Sequence, residues 1–181
     1  VCLLNAYANP AHERVIAEII RANAPDLPFC ISFDVLPEMK EYERTSTTVI
    51  NTYIMPIVKG YLESLRRELD SSGTAAPLLL MQSNGGLMTS EAATRLPANI
   101  VESGPAGGVV GAQALSRKLD MPDLITFDMG GTTAKASLIK DGMIETTSEY
   151  EVGGEGNVID NLGHIRFVKE QLIDEDLPEL Y

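Results

Sequence analysis

The stretch Ile125-Thr126-Phe127-Asp128-Met129-Gly130-Gly131-Thr132-Thr133-Ala134-Lys135-Ala136-Ser137-Leu138-Ile139 decides how this chain is read. An apolar run rises into an acidic residue, two glycines and two threonines follow, and a second apolar run closes it. The pattern predicts strand, tight turn, strand. Lys140-Asp141-Gly142 then predicts a reversal into a third strand from Met143, because Asp-Gly between strand-like runs is a strong hairpin signal.

The chemistry of the stretch sits at its first turn. Gly130 and Gly131 lack a Cβ, so their N–H groups can approach a ligand closely. Thr132 and Thr133 add hydroxyl donors. Asp128 supplies a carboxylate of the kind that holds hard cations such as Mg²⁺. Successive bare N–H groups form a nest for anions. Together these parts suit a metal-bound phosphate, and the same turn also suits a plain structural hairpin with an exposed Asp.

Working outward, Val1 to Tyr7 reads as a buried strand. Pro10 suits the first position of a helix, and Val15, Ile16, Ile19 and Ile20 carry helical spacing from His12 to Ala24. Phe29 to Leu36 reads as a second strand. A long helical region runs from Pro37-Glu38 to about Leu69, with Val49, Ile50, Tyr53, Ile54, Ile57, Tyr61, Leu62, Leu65 and Leu69 on one face. Pro56 should kink or split it, and Thr-rich Tyr42 to Thr48 reads as loop or irregular helix. Asp70-Ser71-Ser72-Gly73 is a turn. Leu78 to Gln82 is a short strand, and Thr89-Ser90-Glu91 caps a short helix to Leu96. A helix to about Lys118 follows Ser103, lined by small residues that let another backbone come close. Strands alternate with helices up to residue 118, which predicts an α/β sheet. The pattern then changes to hairpins, as if a second domain begins near residue 120.

The 181 residues are 44% hydrophobic, ample for a packed core, and carry a net charge of −12. Such acidity argues against nucleic acid and anionic membrane surfaces as partners. Cys2 and Cys30 lie in apolar runs, which reads as a reduced cytoplasmic protein with buried thiols. No signal peptide is visible, and no apolar run approaches the ~18 residues of a membrane span. The chain starts inside an apolar run without Met and stops after an acidic tail, which reads as a piece of a longer protein.

Two further glycine turns stand out. Ser83-Asn84-Gly85-Gly86 follows a strand, where ligands of α/β sheets bind, and it also serves as an ordinary turn. Ser103-Gly104-Pro105-Ala106-Gly107-Gly108 leads into a helix N-terminus, a place for an anion, and equally a place for close helix packing. His12-Glu13 with Asp34 lacks the close His/Cys spacing of a zinc site. The charges Glu38, Glu41, Glu43 and Arg44 suit a solvated face, a domain-interface network or a substrate contact. Ser83 and Ser103 have no paired base in the sequence, so nucleophilic catalysis is not read here.

Taken in order, Leu4-Asn5-Ala6-Tyr7-Ala8-Asn9-Pro10-Ala11-His12-Glu13, Pro37 to Thr48, Met81-Gln82-Ser83-Asn84-Gly85-Gly86, Ser103 to Gly108 and Phe127-Asp128-Met129-Gly130-Gly131-Thr132-Thr133 resemble the hydantoinase A / 5-oxoprolinase family. That family includes N-methylhydantoinase and subunits of acetone and acetophenone carboxylases. The resemblance covers about residues 1–150. It implies an α/β, actin-like ATPase fold of two ribonuclease-H-like domains facing each other over a nucleotide cleft. Residues 1–118 would be the end of the first domain with its linking helix, and 119–181 the start of the second.

The implied activity is ATP- and Mg²⁺-dependent opening of a cyclic amide of hydantoin or 5-oxoproline type through a phosphorylated intermediate. A hydantoinase B-type subunit or domain would be the partner. A ketone carboxylase subunit, a kinase-like nucleotide-binding module and a non-catalytic remnant are the alternatives. Asp128 would be the catalytic and metal-orienting residue, and Gly130, Gly131, Thr132, Thr133 and Lys135 would hold the phosphates. Ser83, Asn84, Gly85, Gly86, Ser103 and Gly104 would line the cleft. The sequence departs from the family pattern at Lys135, where an Asp is common, and in lacking the first domain's own glycine hairpin and a downstream Gly-rich segment, of which Gly153-Gly154-Glu155-Gly156 is a poor substitute. The piece alone is therefore expected to be inactive.

Overall fold

The computed structural model describes residues 1–130, 134–151 and 158–167. Helix α1 spans Ala11–Asn23. The Asn9 side-chain oxygen accepts the Ala11 N–H at 3.1 Å at its start, and the chain leaves it where Ala24 N–H donates to Ile20 O.

The two predicted strands flanking α1 do not form. Val1 N donates to Cys30 O at 2.7 Å and Ser32 N–H to Val1 O at 2.8 Å. These two bonds are one rung of a parallel ladder, and the chain then leaves the extended state. From Leu3 it turns, with Ala6 N–H donating to Leu3 O, Ala8 N–H to Asn5 O, and Asn5 at φ 60°. From Ser32 it forms the short helix α2, Ser32–Val35. The cause is Glu13. Its buried carboxylate accepts Leu3 N–H at 2.8 Å, Ser32 Oγ–H at 2.7 Å and Phe33 N–H at 3.0 Å. A negative charge on the first N–H groups of a helix favours helix over strand.

Helix α3 spans Glu41–Ser71 without a break. The predicted split at Pro56 is absent, and Tyr42 to Thr48 is regular helix. Its threonines satisfy themselves by bonding carbonyls one turn back: Thr48 Oγ1 donates to Arg44 O at 2.6 Å and Thr52 Oγ1 to Thr48 O at 2.8 Å. The predicted apolar face is only partly the buried one. Arg44, Thr47, Thr48, Asn51 and Leu62 are buried, whereas Val49, Tyr53, Ile57 and Tyr61 are exposed. Asn51 makes the polar side useful: its amide donates to Arg95 O at 3.0 Å and accepts Ala98 N–H at 3.1 Å.

Beyond α3 the Asp70–Gly73 turn is clasped by Arg66, which donates to Asp70 Oδ1, Thr74 O and Ala76 O. Strands β1 (Leu79–Met81) and β2 (Leu87–Thr89) pair antiparallel. Thr89 caps α4 (Ser90–Arg95) as the sequence predicts, its Oγ1 accepting Ala92 N–H at 3.3 Å. Among the described residues up to 118, this hairpin is the extent of regular sheet. A 3₁₀ turn at Pro97–Ile100 leads to helix α5, Ser103–Leu119.

The hairpins expected after residue 120 are present. Strands β3 (Leu124–Met129), β4 (Ala134–Lys140) and β5 (Met143–Ile144) form one antiparallel sheet in that order. Asp141 and Gly142, both at positive φ, make the reversal between β4 and β5. Strands β6 (Thr146–Glu151) and β7 (Val158–Ile165) form a second antiparallel pair. Two apolar clusters hold these parts. Ala106 and Val109 of α5 pack with Ile139 and Ile165, and Leu62 of α3 packs with Met88 and Ala93. Cys2 and Cys30 are free, half-buried thiols. Among the described residues no helix is long and apolar enough to cross a membrane.

Candidate functional site

Asp128 lies at the end of β3, one residue before the strand's last position. The register places it directly opposite Lys135 of β4. Its side chain is exposed, and among the described residues it makes no ion pair. Gly130 follows as exposed coil. Gly131, Thr132 and Thr133, the rest of the predicted phosphate turn, lie outside the described residues.

Lys135 is held by an ion pair and an aromatic ring. Its ammonium pairs with the Glu102 carboxylate, and the two side chains are only 21% and 15% exposed. The same ammonium stands over the Phe167 ring at 5.7 Å. Glu102 is the residue immediately before α5, at its N-cap. Its N–H donates to Ser83 Oγ at 3.2 Å and its carbonyl accepts Ala106 N–H at 3.1 Å. One carboxylate thus joins the start of the helix to the strand beyond the glycine turn.

Ser83 is buried and fully engaged. Its N–H and Oγ–H both donate to Asn99 O, at 2.7 and 2.9 Å, and its carbonyl accepts Ile165 N–H at 2.8 Å. The Asn84 side chain closes the turn by accepting Gly86 N–H at 2.8 Å. Gly85 has φ 84°, and a Cβ there would stand 2.9 Å from Val110 Cγ2 and 3.4 Å from Ile165 Cδ1. This turn is wedged between α5 and β7. Asn84 and Gly86 remain exposed, as does Gly104 at the start of α5, while Ser103 is half-buried. The small-residue face of α5 divides in two. A Cβ at Gly107 would stand 3.7 Å from Met81 Cγ, whereas one at Gly104, Gly108 or Gly111 would meet nothing within 4 Å among the described residues.

A cleft of about 680 Å³ runs between α5 and β3, with Gly108, Ala112, Leu115, Phe127, Asp128 and Lys135 among its walls. Asp128 and Lys135 therefore share one opening. His164 is buried and feels the charge of Glu102. Burial holds its pKa below the ordinary histidine value, and the Glu102 charge offsets only part of that. Sequence reasoning singled out Asp128 and Lys135 but passed over Glu102 as part of a lead-in to the helix, and assigned His164 no role. The signal for Glu102 was its place just ahead of Ser103-Gly104, where a carboxylate faces a helix start.

This hairpin-and-helix arrangement is the α/β fold of actin-like ATPases, in the form found in two solved enzymes. The nucleotide-free structure of acetone carboxylase superposes with a TM-score of 0.78 at 26% identity, over 92% of this chain and 23% of that one. The ATP-dependent caprolactamase of Pseudomonas jessenii superposes with a TM-score of 0.73 at 29% identity, over 90% and 23%. By sequence, the uncharacterized protein MJ0964 of Methanocaldococcus jannaschii is 43% identical over 92% of this chain and 25% of its own length. The signature of the hydantoinase/oxoprolinase family matches residues 44–165, and the chain belongs to that family. It spans about a quarter of the length of MJ0964 and of the caprolactamase α subunit, to which it is 32% identical.

Proposed function

We propose that this chain is part of an ATP-dependent hydrolase that opens cyclic amides, with residues 1–118 closing one domain and 119–181 beginning the next. The family signature supports the chemistry, and so does the likeness to caprolactamase, since caprolactam is a cyclic amide. The observation that carries the reading is the exposed carboxylate of Asp128, without an ion pair among the described residues, beside Gly130 on an open cleft.

A magnesium ion fits here as nucleotide-borne metal. Mg²⁺ is held by one or two carboxylates plus substrate phosphates rather than by an all-protein cage, and among the described residues no group of three or more acidic, His or Cys side chains forms such a cage. Mg-ATP would supply an activated phosphoryl group. Asp128 would orient the metal, Gly130 to Thr133 would donate N–H and hydroxyl groups to the phosphates, and Lys135 would add positive charge. Fixed donors aimed at transferring phosphoryl oxygens are the main catalytic contribution in such reactions. The exposed Asn84, Gly86 and Gly104 would border the cleft with Ser103, while Ser83 and Gly85 fix its frame. The enzyme would act in the cytoplasm with a B-type partner subunit, a reading supported by relatives named as subunits of larger enzymes.

The second reading is a ketone carboxylase subunit, favoured by the likeness to acetone carboxylase. Thermal melting of the full chain with and without Mg-ADP tests nucleotide binding, because a ligand that binds only the folded state raises the melting point. Asp128→Ala should abolish the shift without lowering the melting point of the unliganded protein. A shift that survives the substitution removes Asp128 from the site. ATP turnover stimulated by a cyclic amide and not by a ketone separates the two chemistries.

A further inference from the structure

Asp128 and Lys135 are of opposite charge and stand directly across the β3–β4 ladder. Facing residues of an antiparallel pair have their Cβ atoms about 5 Å apart, close enough for a direct ion pair. The structure does not use that pair. The lysine stem turns to Glu102 on α5, and Phe167 lies against the ammonium.

Glu102 prevails for two physical reasons. Its backbone is fixed on both sides, by the bond to Ser83 Oγ and by the first turn of α5. The Lys135 and Glu102 side chains are also mostly withdrawn from water, whereas Asp128 is exposed. A charge pair is stronger where less solvent screens it.

We infer that Glu102 is a positioning residue: it holds the Lys135 ammonium off Asp128 and so leaves that carboxylate available to a metal ion. The inference rests on the reading of Asp128 as the metal-orienting group. Without Glu102, the long lysine side chain turns to the nearest carboxylate, Asp128, and its charge competes with the incoming cation. His164 also feels the Glu102 charge, so the measurements are made at one fixed pH.

The test uses the full chain as wild type, Glu102→Gln, Glu102→Asp, Lys135→Met and the double variant Glu102→Gln/Lys135→Met. Crystal structures locate the Lys135 ammonium, and electron paramagnetic resonance titrates Mn²⁺ in the presence of ADP. In Glu102→Gln, Lys135 is expected on Asp128 and Mn²⁺ affinity about tenfold weaker, equivalent to ~1.4 kcal/mol. Glu102→Asp should keep wild-type affinity. Lys135→Met sets its own baseline, because the lysine also adds charge near the phosphates, and adding Glu102→Gln to it should weaken Mn²⁺ no further, because the competitor is gone. A merely structural Glu102 would weaken metal binding in the Lys135→Met background as much as in the wild type. Lys135 still directed away from Asp128 in Glu102→Gln, or a loss of about tenfold on adding Glu102→Gln to Lys135→Met, overturns the inference. If the wild type binds no Mn-ADP, the nucleotide reading falls, and the position of Lys135 in the variant structure still decides whether Glu102 holds it.

Discussion

The two long helices solve opposite problems. Helix α3 buries a polar side, with Arg44, Thr47, Thr48 and Asn51 inside, and turns Val49, Tyr53, Ile57 and Tyr61 outward. Helix α5 buries Ala106 and Val109 in an apolar cluster and leaves Gly104, Gly108 and Gly111 facing open space. The first is held mainly by hydrogen bonds to specific distant partners, the second by close packing. Periodicity of apolar residues therefore locates both helices, but it names the buried side only where packing does the holding.

The same contrast between hydrogen-bonded and packed regions can be broken outside the two helices, at Glu13 of α1 and at Gly85, which packs on α5. Glu13→Ala should cost the most, about 3 kcal/mol or more, because one buried and two half-buried donors lose their acceptor at once. Urea unfolding measures it, and a loss below about 1 kcal/mol would mean that water satisfies the Leu3, Ser32 and Phe33 donors. On the other side, Gly85→Ala should cost about 2 kcal/mol, from a left-handed backbone and an overpacked contact with Val110. If packing is what holds α5, a second substitution Val110→Ala relieves part of that cost, whereas no trimming relieves the loss of the hydrogen-bonding Glu13 carboxylate. The smallest effect is expected at Tyr53, which is 75% exposed on α3. Tyr53→Ser should change stability by less than about 0.5 kcal/mol. A loss of the size seen at Glu13 would show that the outward stripe is covered in solution.

What was legible in the sequence was local. The spacing of Val15 to Ile20, the Thr89 cap, the Asp141-Gly142 reversal and the Ser103 helix each depend on neighbours within a turn or two, and each formed where the residues indicated. Val1 to Tyr7 and Phe29 to Leu36 were misread because a strand is completed only by another strand. Glu13 diverted both segments from elsewhere in the chain. The site divides in the same way. Asp128 and Lys135 are readable because a two-residue period places them across a hairpin. Glu102 reaches Lys135 from 33 residues away, and no local pattern marks that meeting.

The single rung between Val1 and Ile31 has a consequence in time. Its two bonds close a loop of roughly thirty residues, and such closure costs entropy that grows with the logarithm of the loop length. Helix α1 lies inside that loop and takes up 13 of its residues, compacting them to about 20 Å of rod. Once α1 is wound, the ends have far less flexible chain to bring together. The rung is thus expected to form late and to open first, with amide exchange at Ser32 faster than at residues inside α1.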